Sequence, residues 1–170
     1  MCMRKEINME DKKINQVEFI AKSAVVAALY AIFTVLNPFS YYGIQFRISE
    51  ILILLVFIDK RYTYSLVIGC ILANLASPLG LVDIVFGSLA TLLACLLIAR
   101  TKNLFVATLW PALTNGIIIG FILYKMLDLP FFLSAFQVFF GEFVVLSIAG
   151  YILFKKILKD KNLMRKLRFN

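Results

Sequence analysis

The sequence predicts an all-α integral membrane protein with six transmembrane helices and both termini in the cytoplasm. Three observations lead there. Apolar residues make up 62% of the 170-residue chain and the mean hydropathy is +0.90, whereas a soluble domain is about 45–50% apolar. These residues fall into six runs, roughly Phe19–Leu36, Ile48–Ile58, Tyr62–Ser77, Leu81–Ala99, Leu104–Tyr124 and Phe131–Phe154. Lysine and arginine, finally, alternate between the connections. One set carries Arg4, Lys5, Lys12, Lys13, Lys22, Lys60, Arg61, Arg100, Lys102 and the tail from Lys155 to Arg168; the other carries Arg47 and Lys125. The basic side faces the cytoplasm, and an even number of crossings follows.

The opening stretch, residues 1–18, mixes acids and bases and reads as a cytoplasmic segment rather than a signal peptide. Residues 19–154 form the membrane domain and 155–170 a basic cytoplasmic tail. In the first run Ala24/Ala28 and Ala27/Ala31 are small residues four apart, a spacing that lets another helix backbone approach closely. The neighbour is either another helix of this chain or a partner membrane protein. The second run is short: a dozen helical residues rise about 18 Å against a hydrocarbon core of about 30 Å. With Lys60 and Arg61 holding its inner end, the loop Tyr41–Arg47 must dip below the outer surface. Irregular backbone at that depth belongs against protein or a wet cavity, so Tyr41, Tyr42 and Phe46 are candidates for a lid that stacks on a flat ligand. Asn37-Pro38, Ser77-Pro78 with Gly80, and Leu129-Pro130 divide the runs.

Several chemistries are excluded by composition. The chain has no histidine, so a histidine-held metal and a Ser-His-Asp triad are out. Cys2, Cys70 and Cys95 have no metal-binding spacing. No G-x-x-x-x-G-K-[ST] motif is present for ATP, and no pair of inverted repeats marks a secondary transporter. The net charge of +8 sits at the termini and in the cytoplasmic connections, as membrane anchoring requires and nucleic-acid binding does not.

The informative residues are the polar ones inside apolar runs. An ionisable group at membrane depth is costly and points to function. Arg47 and Glu50 stand three apart, and either form a local ion pair or line a pocket wall with Gln45. Asn74 and Asp83 flank the turn at Pro78 and either serve helix ends or join the same pocket. Asn115 follows Pro111 by one turn, and either glues helices or meets a ligand. Glu142, beside Gly141 near the middle of the last run, must be protonated, paired with Arg47 or facing a polar ligand. Three acids against one arginine disfavour anionic ligands and suit a small, flat, neutral-to-cationic heterocycle whose N–H edge a carboxylate can accept.

Three stretches carry a family likeness: Gly43-Ile44-Gln45-Phe46-Arg47-Ile48-Ser49-Glu50, Gly69-Cys70-Ile71-Leu72-Ala73-Asn74, and Asp83-Ile84-Val85-Phe86-Gly87-Ser88-Leu89-Ala90-Thr91. Together with Asn115 and the Gly141-Glu142 pair, the chain from Ile20 to Phe154 resembles the queuosine-precursor (QueT-type) transporters, substrate-binding S components of energy-coupling-factor (ECF) transporters. The resemblance implies an outward-facing pocket, no catalysis and no cofactor in this chain. It also implies a transmembrane T component and two ATP-consuming subunits as partners. The alanines of the first helix, Ala24/Ala28 or Ala27/Ala31, would meet the T component. The implied ligands are deazaguanine bases, either the aminomethyl precursor of queuosine or queuine. An S component for another vitamin-like heterocycle and a small stand-alone carrier are the alternatives. The expected location is the prokaryotic plasma membrane.

Overall fold

The computed structural model describes residues 2–41 and 45–169, with side chains from Asn15 onward. Six apolar helices follow the six runs: α1 (Cys2–Leu36), α2 (Ile48–Ile58), α3 (Tyr62–Asn74), α4 (Leu81–Ile98), α5 (Leu104–Leu127) and α6 (Phe131–Ile157). A short polar helix, α7 (Lys161–Leu167), comes last. No strand occurs among the described residues. The segments Asn15–Leu36, Leu81–Ile98, Leu104–Leu127 and Phe131–Ile157 are long and apolar enough to cross a membrane, and the protein is a multi-pass membrane protein. Helices α2 and α3 are apolar but shorter.

Local chemistry sets the boundaries. Asn103 caps α5 by accepting from the amides of Phe105 and Val106, and Asp160 caps α7 in the same way. The chain enters α4 through Gly80 at φ +59, a left-handed conformation suited to glycine. Helix α3 stops at Asn74, one turn earlier than its apolar run, because the chain turns through Ser77 and Pro78.

Two helices depart from α geometry. Residues Ile48–Leu54 of α2 wind as a 3-10 helix, and Val144–Gly150 of α6 as a π-helix. Seven residues at about 2.0 Å and four at about 1.5 Å make α2 about 20 Å long, still too short for the hydrocarbon core.

Glycine permits the close helix contacts. A Cβ on Gly69 of α3 would lie 2.9 Å from the Ala27 carbonyl oxygen of α1, and one on Gly120 of α5 would lie 2.6 Å from Cα of Ala135 on α6. The contact at Gly69 separates the two alanine pairs of α1. Ala27 is buried against α3, and Ala31, one turn further on, is partly buried against the apolar core. Of the two alanine registers, Ala27/Ala31 packs within the chain. Ala24 and Ala28 are exposed on the opposite side of α1.

The basic end of the bundle is tied together by Phe169. Its ring packs against Phe19 at 5.0 Å and Tyr62 at 4.6 Å, with the Arg61 guanidinium 4.8 Å away. Arg61 also donates to the Phe169 carbonyl at 2.5 Å, and the Tyr62 hydroxyl donates to Leu167 at 2.7 Å. The stretch after Phe154 thus finishes α6, forms α7 and folds back on α1 and α3.

Asp59 organises this corner. Partial burial works against its charge, but hydrogen bonds from the Arg61 side chain and amide and from the Phe169 amide prevail and hold its pKa below the ordinary carboxylate value. A depressed pKa contributes stability above the unfolded-state value, lost as pH falls through the folded one. Asp59→Asn is expected to cost up to about 1 kcal/mol and to flatten the acid limb of the melting-temperature profile of detergent-solubilised protein below about pH 4.

Candidate functional site

Glu50 and Glu142 are both completely buried. Water cannot solvate them, so each must be met by protein or ligand. The start of α2 brings the first partner. Arg47 stands at the N-cap in an extended conformation, its carbonyl accepts from the Glu50 amide at 3.0 Å, and its Nε lies 3.8 Å from Glu50 Oε1. The Tyr30 hydroxyl, reaching from α1, donates to the same Oε1. Arg47 also donates through Nη2 to Asn74 Oδ1 at the end of α3, at 3.3 Å.

Asn74 passes the connection on to α4. Its amide nitrogen donates to the Asp83 carbonyl at 2.9 Å. Gly87 makes room, since a Cβ there would sit 2.6 Å from that nitrogen. The Asp83 carboxylate accepts from the Ser77 hydroxyl at 2.5 Å, which fixes the turn between α3 and α4.

Glu142 enters from α6. Its Oε1 accepts from Asn115 Nδ2 of α5 at 2.7 Å, and the carboxyl group stands near Glu50 and Arg47. The neighbouring Gly141 lies directly on the backbone of Gln45: a Cβ would fall 2.6 Å from the Gln45 carbonyl oxygen. The loop before α2 therefore meets α6 beside Glu142.

The residues singled out from the sequence thus meet in one buried polar cluster built by the Gln45–Arg47 loop, α2, α3, α4, α5 and α6. Gln45, Arg47, Glu50, Asn74, Asp83, Asn115 and Glu142 are all buried. Five of their polar atoms are buried without a hydrogen-bonding partner among the described residues: Gln45 Oε1, Arg47 Nε, Glu50 Oε2, Asn115 Oδ1 and Glu142 Oε2. Four of the five are acceptors and one is a donor. Unpaired buried polar atoms are rare in folded proteins and call for an explanation.

The candidate lid is only partly described. The Tyr41 hydroxyl donates to the Ala73 carbonyl at 2.6 Å, beside Asn74. Phe46 is half-buried, its carbonyl accepting from Asn37 at 2.5 Å and its amide donating to Phe39. Tyr42 lies outside the described residues.

Sequence reasoning missed Tyr30, Thr34, Ser49 and Ser77. Thr34 donates to Ser49 Oγ at 2.6 Å, a second tie from α1 to α2. The signal was present: Ser23, Tyr30 and Thr34 fall at helical spacing along one face of α1, the face that Ala27 buries.

Comparison with known proteins decides the family. Residues 20–159 match the family model described as QueT transporter. The chain belongs to the QueT transporter family. It is 33% identical over 156 residues to the queuosine precursor transporter QueT of Lactococcus lactis subsp. cremoris (strain MG1363), covering 80% of this chain and 90% of that protein. No solved structure matches the chain. All seven clustered polar residues lie within the part that the QueT family model spans.

The tight seat of Gln45 on α6 gives a direct test. Gly141→Ala puts a methyl group into backbone that has nowhere to yield. It is expected to destabilise the protein by about 1–3 kcal/mol, read as a lowered melting temperature in detergent.

Proposed function

We propose that this chain is the substrate-binding S component of an ECF-type importer, and that the polar cluster captures a queuosine precursor or salvage base from outside the cell. The observation that carries this reading is the set of unpaired buried atoms, dominated by acceptors. A deazaguanine base offers the converse: a ring N–H and an exocyclic amine along one edge, and a pyrrole N–H. The aminomethyl precursor and queuine add a cationic side-chain amine. Glu50 Oε2 and Glu142 Oε2 would take the guanine-like edge and the amine between them, with Gln45 and Asn115 accepting further N–H groups and Arg47 Nε donating to the ring carbonyl. Asp83 would contribute negative potential from the rim. Tyr41, Tyr42 and Phe46 would close over the flat ring.

In this reading the protein sits in the prokaryotic plasma membrane, crosses it six times with α2 and α3 as the short crossings, and keeps both termini in the cytoplasm. It hydrolyses nothing. A T component and two ATPases supply the driving force. The exposed Ala24/Ala28 side of α1 is where the T component docks, because Ala27 is committed to Gly69 and Ala31 to the apolar core.

Binding of purified protein to queuine, its aminomethyl precursor, guanine and an unrelated vitamin tests the ligand. Deazaguanine binding should be saturable, and both Glu50→Gln and Glu142→Gln should weaken it about 10- to 100-fold, the worth of one charge-assisted hydrogen bond. Unchanged affinity in both variants would refute the assignment of the pocket.

A further inference from the structure

Resting on the base-capturing role proposed above, we infer that Tyr30 of α1 is a positioning residue that selects which oxygen of Glu50 faces the ligand. Tyr30 has no exposed surface, and its hydroxyl donates to Glu50 Oε1. The same oxygen is the one nearest Arg47 Nε, at 3.8 Å. Oε1 is thus occupied from two sides, while Oε2, on the same fully buried carboxylate, has no partner among the described residues. A carboxylate with two free oxygens can rotate between equivalent orientations. Here the tyrosine breaks that equivalence and leaves one acceptor aimed at the site.

The tyrosine is itself held. A Cβ on Gly69 would lie 2.9 Å from the Tyr30 Cβ and 2.9 Å from the Ala27 carbonyl oxygen, so α3 closes on α1 at the base of the tyrosine side chain. One turn further along α1, Thr34 donates to Ser49, the neighbour of Glu50. Helix α1 therefore grips α2 at two successive residues, and only the Tyr30 contact touches the carboxylate. This makes Tyr30 a determinant of acceptor geometry rather than a ligand contact.

A buried tyrosine hydroxyl needs a partner wherever it lies, so loss of affinity alone would not distinguish positioning from general packing. A double-mutant cycle does. Aminomethyl-deazaguanine affinity is measured for wild type, Tyr30→Phe, Glu50→Gln and the double variant. Melting temperatures, followed through Trp110 fluorescence, certify the folded state. Tyr30→Phe keeps every carbon of the ring and is expected to weaken binding about tenfold in the wild-type background, with no further loss when Glu50 is already glutamine. Tyr30→Leu, the second hydroxyl-free variant, must show the same dependence on Glu50. Equal losses in both backgrounds, or no loss in either, would overturn the inference. Failure of folded wild-type protein to bind any deazaguanine would overturn the functional reading and this inference with it.

Discussion

The structure turns on the cost of placing two carboxylates where water does not reach. Glu50 and Glu142 are wholly buried, and an isolated buried charge is untenable. Arg47 pairs with Glu50, Asn115 donates to Glu142, and Asn74 accepts from Arg47 while binding α4. The close approaches at Gly87 and Gly141 exist to let these side chains and the Gln45 loop come together. What the seven clustered residues leave unmet among the described residues is one-sided, four acceptor atoms against one donor, so the cluster is incomplete in a chemically specific way.

Much of this was legible because polar residues in apolar runs stand out. Arg47, Glu50, Asn74, Asp83, Asn115 and Glu142 could be picked from the sequence, and they share one cluster. The hydroxyls were not legible, since tyrosine, serine and threonine are cheap to bury in a membrane helix and have many local partners. Thr34 illustrates this: its one hydroxyl lies within hydrogen-bonding distance of both the Tyr30 carbonyl of its own helix and the Ser49 hydroxyl of α2. The winding of α2 and α6 was equally hidden. No apolar period marks Ile48–Leu54 as 3-10 or Val144–Gly150 as π. The end of α3 was misplaced for a simpler reason, because apolar Leu75 and Ala76 belong to a turn.

Helix α1 shows how packing separates residues that sequence makes equivalent. Two alanine pairs share the same spacing, and composition favours neither. Contact with Gly69 buries Ala27 and draws Ala31 toward the core behind it, and the 100° advance per residue then turns Ala24 and Ala28 outward. The same rotation carries Tyr30 and Thr34 inward. One face of α1 therefore serves the polar cluster and the other the surroundings, with a single helix between them.

The 3-10 segment of α2 also sets an angular bearing. Side chains advance about 120° per residue in a 3-10 helix and about 100° in an α-helix. Over the four steps from Leu54 back to Glu50, rewinding as α would swing the carboxylate about 80° around the helix axis. The segment would also shorten by about 3.5 Å over its seven residues. Either change would carry the acid off the bearing that Tyr30 and Arg47 share, so the aim of this carboxylate is stored in the pitch of one short stretch of backbone.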